Sequence, residues 1–297
     1  MNTPAVTPRS PLSATFAILG ASACFSAMGI CLKAADQLST WQVVFWRSIV
    51  VLVIATVLQA RSGAAWWPGN PPRLILRCAV GLASMTCFFW SIKGLDLGTA
   101  TAIQYLSPVF TVLLAVPILG ERTGASGWFF VALAFGGVLL VVRPDGHWDV
   151  LPAVVGLAGA FFAGWVYVLV RQLRTSEPAV RIVWWFAITS VLISAPFAFA
   201  VGLPPDGRHW LLALGIGLGA TGGQLAMTQA YRMGEASHVG PLSYATVVFS
   251  ALAGALLFDE VLTGWSLVGI AAIIGAGAAL SAGLGKFRWP RRPVARA

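Results

Sequence analysis

Charge is what this chain has least of. Only 10% of its 297 residues are Asp, Glu, Lys or Arg, whereas 58% are hydrophobic, and the mean hydropathy is +0.83. An ordinary soluble domain is about a quarter charged. The 19 basic and 10 acidic side chains do not cover a water-facing surface, which excludes a soluble globular fold and makes lipid the solvent. Cysteine is also scarce. Cys24, Cys31, Cys78 and Cys87 lie in or beside apolar runs, with no Cys-x-x-Cys pair and no His at zinc-ligand spacing, so they read as small apolar residues. No metal and no cofactor is expected.

The gaps between charges give the architecture. Charge-free runs cover 10–32, 97–120, 123–142, 150–170, 182–205, 209–231, 236–258 and 261–285. Each is long enough for a membrane helix of about 20 residues. Thr40 to Gln59, interrupted only by Arg47, and Pro72 to Ile92, with Arg73 and Arg77 in its first turns, add two more. The expected fold is an all-α membrane protein of ten transmembrane helices. The apolar runs are continuous rather than alternating, which excludes a β-barrel.

Short connections rich in breakers, such as Trp67-Pro68-Gly69-Asn70-Pro71-Pro72 and Leu203-Pro204-Pro205-Asp206-Gly207, leave no room for a soluble domain. The first run has no small-residue cleavage site, so it is expected to stay as a span. Fourteen Lys and Arg fall in the loops on the side of the N-terminus and four on the other side. That asymmetry predicts both termini in the cytoplasm of a bacterial-type inner membrane, with the basic tail against anionic headgroups. The placement explains the +9 net charge without nucleic acid.

Shifting the chain by 139 residues superimposes Lys93-Gly94-Leu95-Asp96 on Arg232-Met233-Gly234-Glu235, Tyr105 on Tyr244, Phe110 on Phe249, Glu121 on Glu260 and Gly136 on Gly275. A slightly smaller shift aligns Gly20, Phe25 and Trp46 with Gly156, Phe161 and Trp184. The matched residues include rare acids, bases and tyrosines, so the likeness is a duplication rather than shared hydrophobicity. Residues 1–145 form one five-helix repeat and 146–297 the second. Because five is odd, the second copy is inverted, and the interface between the copies is where a central cavity is expected.

Ser107-Pro108-Val109-Phe110-Thr111, then Leu119-Gly120-Glu121-Arg122 and Gly127, Gly136 and Gly137, resembles the EamA-type branch of the drug/metabolite transporter superfamily. Ala245 to Ser250, Phe258-Asp259-Glu260, Gly269 and Gly275 repeat the pattern, and Phe45-Trp46-Arg47 is similar to that family's aromatic-x-Arg motif. Val247 replaces Pro108, and Trp185 replaces Arg47, in the second copy. The resemblance implies ten helices around a central cavity that carries small metabolites, often amino acids being exported.

Pro108 removes a backbone donor in mid-span and frees carbonyls beside Gln104, Tyr105 and Ser107. The repeat-related cluster is Ser243, Tyr244 and Thr246, with Pro241 as the breaker. These two clusters are the expected substrate site. Met85, aligned with Gln224, supplies an adaptable wall facing an amide; Phe25, Met28, Trp165 and Tyr167 are expected as aromatic and thioether walls. The same hydroxyls serve equally well as packing contacts between helices. Arg47, two turns into its span, is expected to snorkel or to bond a neighbour's carbonyls. Glu121 and Glu260 are expected as caps or gates, His238, His147 and His209 as interfacial residues, and Gly215, Gly219 and Gly223 as a stripe for close helix approach.

The function expected is secondary transport of a small molecule by alternating access, most specifically export of large neutral or aromatic amino acids, by a chain whose sequence sets no oligomeric state and is compatible with a monomer. All ten carboxylates fall at span ends or in loops. A mid-membrane proton carrier is therefore missing, which argues for facilitated movement over a proton-driven multidrug antiporter. A carrier of phosphorylated or nucleotide sugars needs basic residues in the cavity, which only Arg47 and Lys33 offer. A lipid-modifying enzyme needs a catalytic cluster, for which the loop residues Arg143, Asp145, His147 and Asp149 are the nearest approach. A passive channel fits the inverted duplication less well.

Overall fold

A computed structural model describes residues 11–63, 65–119, 124–142, 150–173, 176–233 and 242–281. The described residues form helices α1 (Pro11–Ala34), α2 (Thr40–Ser62), α3 (Pro71–Gly94), α4 (Leu97–Gln104), α5 (Ser107–Leu119) and α6 (Ala125–Val142) in the first repeat. The second contains α7 (Val150–Leu173), α8 (Ala179–Val201), α9 (Gly207–Met233), α10 (Ala245–Leu257) and α11 (Gly264–Ser281). Seven segments are long and apolar enough to cross a bilayer, one of them running through α4 and α5, and three shorter apolar helices complete ten crossings. The protein is a multi-pass membrane protein.

The helix ends follow local chemistry. Ser39 and Gln42 make a reciprocal capping box at α2, which stops at Gly63 in the left-handed region. Asn70 caps α3, where Pro71 and Pro72 occupy the first helical positions that need no backbone donor. Buried Glu177 accepts from the Asn70 backbone at 2.7 Å and pairs with Arg181 at 2.8 Å, pinning the α2–α3 connection to the start of α8.

Packing is mostly between the repeats. α1 lies on α9, α3 on α7, α2 on α8, α6 on α11 and α4 on α10. Exchanging the two five-span copies exchanges the first two pairings and leaves the other three in place, as a pseudo-two-fold relation requires. The glycine stripe lies in the first of these contacts: a Cβ on Gly219 would meet the Cys24 carbonyl at 2.9 Å, and one on Gly223 the Phe25 ring at 2.6 Å. Leu192, Phe197, Leu211 and Leu256 point outward as an apolar face for lipid. Tryptophans gather near the ends, with Trp66 on Trp184, Trp67 near Trp185 and Trp46 on Trp210, as an interfacial belt does.

One sequence expectation gains a partner here and one changes. His209, expected at the interface, is in the first turn of α9, 1% exposed, with its backbone and ring nitrogens on Asp206 at 2.9 and 2.8 Å. Those bonds, backbone first, hold the Asp206 carboxyl below the ordinary carboxylate range. Arg47 does not snorkel and bonds no carbonyl among the described residues: it is buried, with Nη1 3.0 Å from the Met85 sulfur and its guanidinium 5.9 Å from the centre of Phe89.

Candidate functional site

The fourth span breaks where Pro108 removes a donor. α4 ends at Gln104, α5 begins at Ser107, and between them Leu106 N bonds the Ile103 carbonyl at 3.0 Å in a tightened turn. A turn at Ser243–Tyr244 precedes α10, where Thr246 N reaches the Ser243 carbonyl at 3.1 Å. Pro241, expected as the second breaker, lies outside the described residues, as do Glu121, His147, His238 and the Arg143, Asp145 and Asp149 loop cluster.

The two breaks face one another across the repeat interface. Tyr105 and Tyr244 meet edge to face at 5.4 Å between ring centres. The Tyr105 hydroxyl donates to Thr246 Oγ1 at 2.7 Å, and the Tyr244 hydroxyl donates to the Tyr105 carbonyl at 3.3 Å. Thr246 donates in turn to the Ser243 carbonyl at 3.0 Å. This network holds the irregular backbone that the breaks expose, the only kind tolerated at membrane depth.

Beside it lies a cavity of about 580 Å³. Its wall brings together Gln104, Tyr105, Ser107, Pro108, Ser243, Thr246, Gln224, Phe25, Met28 and Tyr167 from the sequence expectations. Three expected residues do not line it. Tyr244 is 2% exposed and packs behind Tyr105. Met85 is buried beneath Arg47. Trp165 packs near Phe161 at 6.5 Å instead, because two residues along α7 are about 200° apart and Tyr167 takes the inward direction.

Sequence reasoning missed Thr101, Thr111, Phe88, Gly29, Val112 and Met227. The helical period around Gln104 would have found two of them, since Thr101 lies three residues before it and Thr111 one turn beyond Ser107. Both threonines return their hydroxyls to their own helix, at Leu97 and Ser107 carbonyls 2.7 and 2.8 Å away. Gln104 differs: its Oε1 is buried with no hydrogen-bond partner among the described residues. A buried amide oxygen without a donor is costly unless something else meets it.

Beyond Gly29 and Thr101, at the end of the cavity away from the chain termini, polar contacts close the bundle. The Glu260 carboxylate ion-pairs with Lys33 and accepts the Leu97 backbone N–H at 2.8 and 2.9 Å, capping α4. Lys33 also donates to the Leu95 carbonyl at 2.8 Å and stands over Phe258. Burial, and then the Glu260 charge, push the neighbouring Asp96 carboxyl upward. From Thr101 the cavity follows the fourth span to Val112, about 16 Å at 1.5 Å per residue.

Ten crossings, paired helix breaks and a cavity between inverted repeats define a membrane carrier for small molecules. The chain belongs to the EamA-like transporter family, which it matches twice, over residues 12–143 and 151–282. It is 30% identical over 264 residues to the pseudopaline exporter CntI of Pseudomonas aeruginosa strain UCBPP-PA14, covering 88% of this chain and 93% of that protein. Human solute carrier family 35 member G1 is 26% identical over 260 residues, 82% of this chain and 70% of that one. The riboflavin transporter of Vibrio cholerae (strain El Tor Inaba N16961) is 26% identical over 207 residues, 67% and 68% of the two chains. A chain of known crystal structure shares the fold at a TM-score of 0.67 and 18% identity, over 93% of this chain and 99% of its own. The protein is a transporter of small molecules, not an enzyme.

Proposed function

We propose that this transporter exports amino acids, large neutral or aromatic ones in particular, by alternating access. It does so in a bacterial-type inner membrane with both termini cytoplasmic and with 1–145 and 146–297 as its two moving halves. The observation that carries the reading is the cavity itself: Gln104, whose amide oxygen has no hydrogen-bond partner among the described residues, stands among hydroxyls, walled by Phe25, Phe88, Tyr167, Met28 and Met227. An amide oxygen accepts from a substrate ammonium, while aromatic and thioether walls receive an apolar side chain. Gln104, Ser107, Ser243, Thr246 and Gln224 bind, and the turns beside Pro108 and Pro241 flex as the halves rock. Met85, Tyr244 and Trp165 support the wall from behind.

The relatives named for pseudopaline and for riboflavin carry different cargoes, so the wall of this cavity decides the preference. Uptake of labelled amino acids into proteoliposomes tests it, with phenylalanine, tyrosine and leucine expected to move fastest. Equal transport of sugar phosphates contradicts the reading. Movement is expected to persist after the proton gradient is dissipated, because no carboxylate of the described residues lies on the cavity wall.

A further inference from the structure

Two carboxylates stand at the N-terminus of α4, and only one of them caps it. Asp96 occupies the N-cap position: its backbone is extended, at φ −59° and ψ 142°, and its carbonyl accepts the first helical bond, from Ala100 N at 2.8 Å. Aspartate is among the best N-cap residues, yet the exposed Asp96 side chain makes no capping bond among the described residues. The cap comes from Glu260, beyond the end of α10, whose two oxygens both accept the Leu97 N–H.

A constrained turn brings Glu260 there. Phe258 N and Glu260 N both return to the Gly254 carbonyl, at 3.1 and 3.2 Å. Asp259 between them is at φ +52°, in the left-handed region that a residue with a Cβ occupies at a cost. Gly254 leaves room for the carboxylate, which a Cβ at that position would strike. With Lys33 of α1 as counter-ion, the Glu260 side chain is 5% exposed and ties α1, α4 and the α10–α11 connection together.

Opening this end of the cavity requires the first turn of α4 to part from α10. The two are in close contact, since a Cβ on Gly98 would lie 2.7 Å from the Ala251 Cα. Glu260 is bonded to the last turn of α10 and leaves with it, which strips the first turn of α4 and the positive end of its dipole of their acceptor. Asp96 is the adjacent residue, its backbone already in the cap conformation. Rotation of its side chain alone brings the carboxylate to the Gly98 or Thr99 N–H. We propose that the two acids exchange the N-terminus of α4: Glu260 caps it while the cavity is closed at the end away from the termini, and Asp96 caps it once that end opens. The exchange keeps α4 capped in both states and lowers the cost of opening. It rests on reading the cavity as a path that opens at each end in turn.

The test follows Thr101→Cys, in full-length protein without the native cysteines, in sealed vesicles with the termini inside. An impermeant maleimide added outside reacts at a rate set by the fraction of molecules open at that end. Asp96→Ala is expected to slow the reaction about fivefold, the worth of one N-cap, while Asp96→Asn and Asp96→Ser, which cap as well as aspartate, keep the unsubstituted rate. If that rate is too slow to compare, the same series is read in Glu260→Gln. An unchanged rate in Asp96→Ala overturns the exchange. Equal slowing by Asp96→Asn overturns it as well, because repulsion between the two carboxylates then accounts for the effect. Thermal unfolding of Asp96→Ala is expected to match the wild type, since the closed state does not use this cap. A variant that melts earlier or does not fold, with Asp96→Ser restoring it, makes Asp96 a permanent cap and overturns the exchange. Should phenylalanine uptake fail while labelling follows the expected pattern, amino-acid export falls and the exchange stands; uptake with a flat labelling series removes the exchange alone.

Discussion

Replacing Gly219 with alanine perturbs the surface on which the two repeats meet. The new Cβ would lie 2.9 Å from the Cys24 carbonyl oxygen and 3.1 Å from the backbone nitrogen and Cβ of Met28. Two of these three atoms are α1 backbone and do not swing aside. Ordinary contact begins near 3.4 Å, so α1 and α9 must separate by about 0.5 Å, along a packed helix face. Overpacking of this kind costs about 1–3 kcal/mol. Alanine also gains about 1 kcal/mol of helix propensity over glycine. Gly136→Ala gains the same propensity at a position where a Cβ meets nothing within 4 Å, so the difference between the two variants isolates the packing cost. Reversible unfolding in mixed micelles is expected to place Gly219→Ala about 1–3 kcal/mol below Gly136→Ala. Equal stabilities would refute the close approach of α1 and α9.

Glu260→Gln removes the charge that caps α4 and pairs with Lys33; it is expected to make Thr101→Cys, in a background without the native cysteines, react with maleimide added on the side away from the termini. Unchanged protection would show that these contacts do not close that end. Glu177→Ala leaves Arg181 buried without its partner and frees Asn70, a loss of about 3–5 kcal/mol in the same unfolding assay; a loss under 1 kcal/mol would mean that the connection is held elsewhere. Asp206 has its folded carboxyl below the ordinary value, so its contribution is present above about pH 4 and fades as pH falls through the lowered range. Asp206→Ala is therefore expected to melt earlier than the wild type at pH 7 and to converge with it in acid. A pH-independent gap would assign the effect to packing instead.

Much of this fold was legible because lipid makes strict demands. A chain whose charges interrupt apolar runs at span-length intervals has few alternatives in hydrocarbon, and an odd-numbered duplication imposes inversion. The break at Pro108 was also legible, since a missing donor acts locally. What stayed hidden was helical rotation, because hydrophobicity all round a membrane helix leaves no amphipathic phase to read. Tyr105 and Tyr244 are repeat-related, yet one lines the cavity and the other supports it from behind. Arg77 is close enough to the start of α3 to have snorkelled, and only its place against α8, over Phe186, turns it inward. Trp165 and Tyr167 were both expected inward although a helix cannot turn both to one side.

Transport by this protein requires the cavity at the paired breaks to be the path of the cargo. Initial rates of labelled phenylalanine uptake by reconstituted wild type, Gln104→Ala and Ser243→Ala, at equal protein orientation, test this most directly. Losing a hydrogen bond to a charged ammonium costs about 1.5–3 kcal/mol, so uptake by Gln104→Ala is expected to fall at least tenfold, with a smaller fall for Ser243→Ala. Wild-type rates in both variants would contradict the account and move the path elsewhere in the bundle.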